Sequence, residues 1–251
     1  MVDYSYLSEE LSVDTECFIL DTIPSTNDFL AALPFSDKIQ VCVAREQTSG
    51  KGQYQRKWAS KRDSSVLVSV RRNFKNATSL NGLSLVIGMA LIDVLERDYE
   101  IKKLKLKWPN DLYFKNMKIA GILIENTVQN KSQTVVIGIG VNNNLNGELE
   151  CETPWTDLTQ ILTITPKIET LTAKIINKVI KYCDQFEQRG LNSFQSRWLE
   201  LDYLINKKLK VSHDDKEVIG VADGINEQGA LLVQRNGKAF EVFSSEQIKL
   251  I

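Results

Sequence analysis

Two hydrophobic periods alternate along this chain, and together they predict strands interleaved with helices. Residues 17–20, Cys-Phe-Ile-Leu, read as a short buried strand. Ser25 or Thr26 then caps a helix carrying Phe29, Leu30 and Leu33, which Pro34 ends. Residues 39–45 and 65–71 are valine-rich strand patterns, separated by a polar, glycine-bearing loop at 46–60. Helical spacing returns at 79–97, where Leu80, Leu83, Ile87, Ala90, Leu91 and Val94 recur behind a Thr78 or Ser79 cap. Strand patterns follow at 104–107, 118–125 and 134–141. Thr165-Pro166 suits the start of a second long helix, with Ile168, Leu171, Ile175, Val179, Tyr182 and Phe186 on one face and Gly190 at its end. A short helix around Phe194, Trp198 and Leu199 comes next.

After about residue 204 the texture changes to short strand patterns at 207–212, 217–222, 230–235 and 239–243. Asp214-Asp215, Asp223-Gly224, Gln228-Gly229 and Asn236-Gly237 separate them as turn signals, and Asn-Gly between alternating runs is the strongest short hairpin signal. So many short strands in so few residues predict a small SH3-like β-barrel. The expected organisation is a larger domain over residues 1–204 and a C-terminal barrel over 205–251.

Composition changes this picture only by exclusion. In 251 residues, 43% are hydrophobic and 25% charged, enough to bury a core. A formal net charge of −1 disfavours a globally basic nucleic-acid binder. Cys17, Cys42, Cys151 and Cys183 form no CxxC pair and read as reduced thiols. The first residues show neither a basic nor an apolar leader region, and no apolar run is long enough to cross a bilayer, so a cytoplasmic protein without membrane contact is expected.

Four segments carry candidate chemistry. Residues 47–58, with Gly50 and Gly52 among Lys51, Arg56 and Lys57, can wrap an anion with backbone N–H groups and cations, or can be an ordinary solvated loop. It is not a P-loop, because GxxxxGK[ST] is absent. In Lys107-Trp108-Pro109-Asn110-Asp111, Pro109 biases Trp108 toward an extended backbone before an Asn110-Asp111 turn. Asp111 could hold Mg²⁺ or a ribose there; a plain strand connection with a packed tryptophan fits equally. Strict alternation puts Lys118 on the face of Ala120, Ile122 and Ile124, where a cation needs an anionic partner or must snorkel. Gly138-Ile139-Gly140-Val141-Asn142 lets either a nucleotide or a crowding neighbour approach the backbone. His213, the single histidine, falls in an expected surface turn, which disfavours triad chemistry.

Taken in order, these segments resemble the biotin–protein ligases. Ser25-Thr26-Asn27 is similar to that family's biotin-contacting tripeptide, and Gln47 through Trp58 resembles its adenylate-binding loop. Lys107 through Asp111 matches the Lys-Trp-Pro-Asn-Asp signature in full, and Lys118, Gly121, Ile122, Leu123 and Glu125 match the motif that follows. Gly138 through Asn142 resembles the family's Gly-x-Gly-x-Asn strand, and Gly224 with residues 229–232 its C-terminal barrel. Two positions depart from the pattern: Lys51 stands in place of an arginine, and Gln55 in place of the loop's third glycine.

The resemblance implies an α+β fold, with a mixed β-sheet packed with helices in a catalytic domain of the class II aminoacyl-tRNA synthetase/biotin ligase type that uses ATP, biotin and Mg²⁺. It implies formation of biotinyl-5′-AMP and transfer of biotin to a lysine of a biotin carboxyl carrier protein. Lys118 would be catalytic, contacting the biotin carboxylate and α-phosphate. Ser25, Thr26, Asn27, Gln47, Gly50, Lys51, Gly52, Gln53 and Gly121 would join it in holding biotin. Lys51, Arg56, Trp58, Asn110, Asp111 and Asn142 would serve ATP, with Asp111 on Mg²⁺. A homodimer is open, and DNA binding is not expected because Ser25-Thr26-Asn27 comes too early for the family's N-terminal DNA-binding domain. A lipoate–protein ligase and a catalytically silent biotin- or nucleotide-binding regulator are the alternatives.

Overall fold

The computed structural model describes residues 2–74, 79–129, 132–145, 151, 153–213 and 216–251. Its framework is a seven-stranded sheet of β1 (Thr15–Ile23), β2 (Ile39–Gln47), β3 (Ser65–Phe74), β4 (Leu104–Lys107), β5 (Asp111–Phe114), β6 (Met117–Gln129) and β7 (Ser132–Asn142). The strand order is β1-β2-β3-β7-β6-β5-β4. Only the β1–β2 pair is parallel; the other neighbours are antiparallel. The expected buried strand at 17–20 is therefore a nine-residue edge strand, and having one open side leaves it half-exposed.

The two faces of this sheet are covered differently. On one lie α2 (Leu83–Tyr99) and α3 (Ile168–Arg189), which contact each other and, through Val41, Val43, Val66, Val68 and Val70, close the main core. On the other lies α1 (Thr26–Ala32), whose buried Leu30 packs with Cys42 and Val136. Ser25 caps α1, its Oγ accepting from the Asp28 N–H at 3.3 Å. The other two helix starts differ from expectation. α2 begins at Leu83 behind Gly82, whose φ of +80° suits glycine, so Ser79 is not its cap and Thr78 lies outside the described residues. α3 begins at Ile168 after an extended Lys167, two residues beyond Pro166. The short helix α4 (Gln195–Leu201) buries Trp198 but leaves Leu199 exposed.

The C-terminal strands β8 (Lys208–His213), β9 (Lys216–Ile225), β10 (Leu231–Arg235), β11 (Lys238–Val242) and β12 (Ile248–Leu250) form an antiparallel sheet ordered β11-β10-β9-β8-β12. Asn236 and Gly237 both take positive φ and join β10 to β11 as a hairpin. Among the described residues β11 and β12 do not pair, so the expected barrel is an open five-stranded sheet; β12, three residues long, is spent on β8. Asp223-Gly224 is not a turn but a bulge inside β9, with Gly224 at φ +83° opposite the step from Leu231 to Val233. Asp214-Asp215 lies outside the described residues, and the His213 backbone closes β8 instead of lying in the turn. Leu209, Val211, Ala222, Leu231, Val233 and Val242 belong to the same apolar cluster as α2 and α3. Trp108 fastens the two sheets together: it is buried, and its Nε1 donates to the Gly229 carbonyl at 2.9 Å.

All four cysteines are free, and burial pushes the Cys42 and Cys183 thiols up to about 12. Cys151 is exposed. Among the described residues no helix is long and apolar enough to cross a membrane.

Candidate active site

Beside α1, the sheet face opposite α2 and α3 opens into a cavity of about 560 Å³. Its floor exists because two register partners, Gly121 on β6 and Gly140 on β7, carry no side chains. The Trp58 indole lies across them. A Cβ on Gly140 would stand 2.5 Å from Trp58 Cζ2, and one on Gly121 would stand 3.0 Å from Cζ3. Gly138 plays the same part for Asn27, whose Cγ would lie 2.9 Å from an added Cβ. The glycine-rich strand thus accommodates side chains of this chain, the crowded-sheet alternative, and Trp58 rests on the sheet itself. Trp58 Nε1 is buried without a partner among the described residues.

One end of the cavity is polar. Gln47 Oε1 accepts from the Thr26 N–H at 2.7 Å and from Thr26 Oγ1 at 2.9 Å. Ser69 Oγ stands 2.7 Å from Thr26 Oγ1 and 2.6 Å from Asn27 Oδ1, and Asn27 Nδ2 donates to Glu125 Oε2 at 2.7 Å. Ser25, Thr26, Asn27 and Ser69 are all buried, so each polar atom here needs a partner.

The loop from Gln47 to Trp58 covers that end. It folds back on itself, with Gly50 O accepting from the Trp58 N–H at 2.9 Å and Gly52 N–H donating to Arg56 O at 2.6 Å. At its tip Tyr54 and Gln55 both sit at positive φ, +55° and +59°. Gln55 therefore adopts the left-handed backbone for which glycine is the unstrained choice. Lys51 Nζ lies 2.7 Å from Asp28, and this hydrogen bond holds its pKa above the ordinary lysine value. Tyr54 OH meets Ser244 Oγ at 2.7 Å, joining the loop to the C-terminal sheet, and the Arg56 guanidinium lies 5.6 Å from the Tyr54 ring centroid. Gly50 alone among the expected residues does not line the cavity; it is buried behind the loop, where a Cβ would meet Trp58 O at 2.7 Å.

The other end is cationic. Lys118 reaches the cavity by a route that alternation does not foresee. Leu112 and Tyr113 on β5 pair with Ala120 and Lys118, so Ile119 is an extra residue in a β-bulge. Ile119 and Ala120 both turn into the core, and Lys118 emerges on the face of Gly121, not that of Ala120 and Ile122. Its Nζ pairs with Asp111 Oδ1 at 2.7 Å and stands 5.6 Å above the Trp58 ring. Lys107, half-buried with Nζ 5.3 Å from the Tyr113 ring centroid, is held below the usual lysine pKa by desolvation, and by Lys118, Lys207 and Arg56 nearby. Among the described lining residues Lys51, Arg56, Lys57, Lys107 and Lys118 oppose the single carboxylate of Asp111, so the cavity favours an anion.

The turn joining β4 to β5 spans Trp108 to Asn110, and Asp111 already opens β5. Asn110 Nδ2 donates to the Ile122 carbonyl at 2.7 Å, and Asn142, buried in the cavity wall, donates from Nδ2 to the Thr156 carbonyl at 2.9 Å. No group of three or more His, Cys, Asp or Glu side chains among the described residues could hold a metal. Asp111 is the one carboxylate among the described lining residues and is paired with Lys118, so a Mg²⁺ here would be carried mainly by the phosphates of the nucleotide. Sequence reasoning left Lys107 without a role and missed Ser69, Trp155 and Ser245, of which the last two line the cavity. Ser69 did carry a signal, being the one polar residue between Val66 and Val70 on β3.

Comparison with other proteins identifies relatives of the chain. Residues 19–142 match the Biotin/lipoate A/B protein ligase family. The chain is 37% identical over 229 residues to the bifunctional ligase/repressor BirA of Salmonella typhimurium, covering 87% of this chain and 69% of that protein. It is 25% identical to the biotin–[acetyl-CoA-carboxylase] ligase of Mycobacterium tuberculosis, over 84% of this chain and 79% of the relative. A solved biotin protein ligase from Aquifex aeolicus in complex with biotin and ATP superposes with a TM-score of 0.79 at 25% identity, covering 94% of this chain and 98% of the other. On this evidence the chain belongs to the biotin–protein ligases of the biotin/lipoate ligase family.

Proposed function

We propose that this chain joins biotin to ATP as biotinyl-5′-AMP and then transfers biotin to a lysine of a carboxylase carrier domain. The observation that carries the reading is one cavity holding a buried polar end at Thr26, Asn27 and Gln47 and a cationic end at Lys118 and Lys107. Biotin has the matching form, a cyclic urea at one end and a carboxylate at the other.

In the first step a biotin carboxylate oxygen attacks the α-phosphorus of MgATP, and the bond to the β-phosphate oxygen breaks to release pyrophosphate. Two anions must meet, so the residues' work is alignment and charge compensation. Lys118 lies between them, released from Asp111, and offsets their repulsion. Ser25, Thr26, Asn27 and Gln47 hold the urea, with Gly121 keeping the floor open. Lys51, Gly52, Gln53 and Arg56 close over the adenylate and exclude the water that would hydrolyse it. Trp58, Asn110, Asp111 and Asn142 flank the nucleotide. In the second step the carrier lysine attacks the acyl carbon, AMP leaves, and the amine loses its proton. The relatives named as acetyl-CoA-carboxylase ligases support a carboxylase carrier as partner. Residues 1–204 would carry the chemistry, with 205–251 adding Ser245 and Ile248 to the cavity wall.

The test is incubation with biotin, MgATP and a carrier domain, read by intact mass. One added biotin per carrier, absent without ATP and not reproduced with lipoate, is expected. Lipoylation without biotinylation, or no modification at all, overturns the reading.

A further inference from the structure

The polar end of the cavity is supported from below by two residues outside its lining. Ser69 on β3 and Leu123 on β6 are the register partners that flank Gly138, and Asn27 sits over that glycine. Asn27 is gripped on both sides: Glu125, two residues along β6, accepts from Nδ2 at 2.7 Å, and Ser69 Oγ faces Oδ1 at 2.6 Å. A carboxylate cannot donate, so Glu125 dictates which way the amide points. Fixing Nδ2 toward Glu125 turns Oδ1 toward Ser69 and Thr26.

The donors can then be counted. Thr26 spends its hydroxyl proton on Gln47 Oε1, leaving Thr26 Oγ1 as an acceptor toward Ser69. Ser69 has one proton and two acceptors within 2.7 Å, Thr26 Oγ1 and Asn27 Oδ1. One acceptor, Thr26 Oγ1 or Asn27 Oδ1, is therefore left with room for a further donor. A ligand N–H beside a carbonyl fills it, as a cyclic urea offers; a dithiolane offers neither.

Resting on the ligase reading above, we infer that Ser69 and Glu125 are positioning residues for head-group specificity. They aim Asn27 and leave the acceptor that a urea N–H fills, and they touch neither the nucleotide nor the reacting carboxylate.

The full chain is assayed by biotin-dependent pyrophosphate exchange into ATP, with KM for biotin and for ATP measured separately. Ser69→Ala and Glu125→Leu should each raise the biotin KM about tenfold or more, one hydrogen bond's worth, and leave the ATP KM within about twofold. Glu125→Gln keeps an oxygen that accepts from Asn27 Nδ2, so it should stay within about threefold of wild type for biotin. Thermal melts verify folding, and if Ser69→Ala does not fold, the Leu-versus-Gln contrast at position 125 decides. An unmoved biotin KM, both KM values moving together, or no rescue by glutamine overturns the inference. Wild-type exchange with lipoate and not biotin would instead overturn the ligase reading, so the two failures are distinct.

Discussion

Gly140→Ala is the sharpest test of how the cavity floor is built. The three nearest atoms that an added methyl would meet all belong to the Trp58 indole. Gly140 lies in β7, paired on both sides with β3 and β6, so the backbone cannot yield. The loop that carries Trp58 can lift away, and the penalty is therefore capped by what docking that indole contributes. One face of an indole removes roughly 100 Å² of apolar surface from water, about 2.5 kcal/mol at 25 cal/mol per Å². For a chain of this length that lowers Tm by roughly 5–10 °C. In a Trp58→Ala background the methyl meets no indole, and the same change should be neutral or stabilising by up to about 1 kcal/mol. A double-mutant cycle followed by calorimetry should thus give a coupling of about 2–3 kcal/mol. Trypsin supplies a local readout, because Lys51, Arg56 and Lys57 lie in the loop and should be cut faster in the single mutant. Equal destabilisation in both backgrounds, or unchanged cleavage, would refute the reasoning.

Three further outcomes are expected. Lys118→Ala should slow single-turnover adenylate formation by about 10²–10³-fold or more, while loss of a partly exposed pair with Asp111 lowers stability by no more than about 1 kcal/mol; a near-normal rate would remove Lys118 from the chemistry. Gln55→Gly trades a left-handed strain of about 1–2 kcal/mol for a glycine entropy cost of about 0.5–1 kcal/mol, so tryptic cleavage of the loop should slow, and faster cleavage would contradict this. Asp202 is buried, and desolvation raises its pKa above the ordinary carboxyl value. Between the unfolded and the raised folded pKa the folded chain binds more protons than the unfolded one, so stability falls as pH rises through that window. Asp202→Asn, which keeps an acceptor for the Leu204 N–H, should therefore melt higher at neutral pH, with the advantage shrinking as pH falls toward about 4; a pH-independent difference would argue against titration.

Local chemistry is legible in the sequence, and three-dimensional neighbourhood is not. Ser25 caps α1, Asn236-Gly237 turns a hairpin and Gly190 ends α3, because each depends only on residues adjacent in sequence. The start of α2 was misplaced because Leu80 has helical spacing yet precedes Gly82, whose left-handed backbone stops the helix from extending backward. The purpose of Gly138 and Gly140 could not be seen, since what fills the space above them comes from α1 and from the loop after β2. Trp108 reads as part of a signature, but its indole N–H is spent on a carbonyl 121 residues away.

The bulge at Ile119 makes the position of the cavity's cation a question of counting. Stepping back by twos along β6 from Glu125 passes Leu123 and Gly121 and arrives at Ile119, which faces the core. One extra step reaches Lys118. A lysine three residues ahead of a glycine, inside a strand that otherwise repeats every two, is thus the written trace of a phase slip. Deleting Ile119 would leave Lys118 two positions from Gly121 and still facing the cavity, but would draw the β5–β6 hairpin one residue inward. In this segment, length is held under a constraint separate from residue identity.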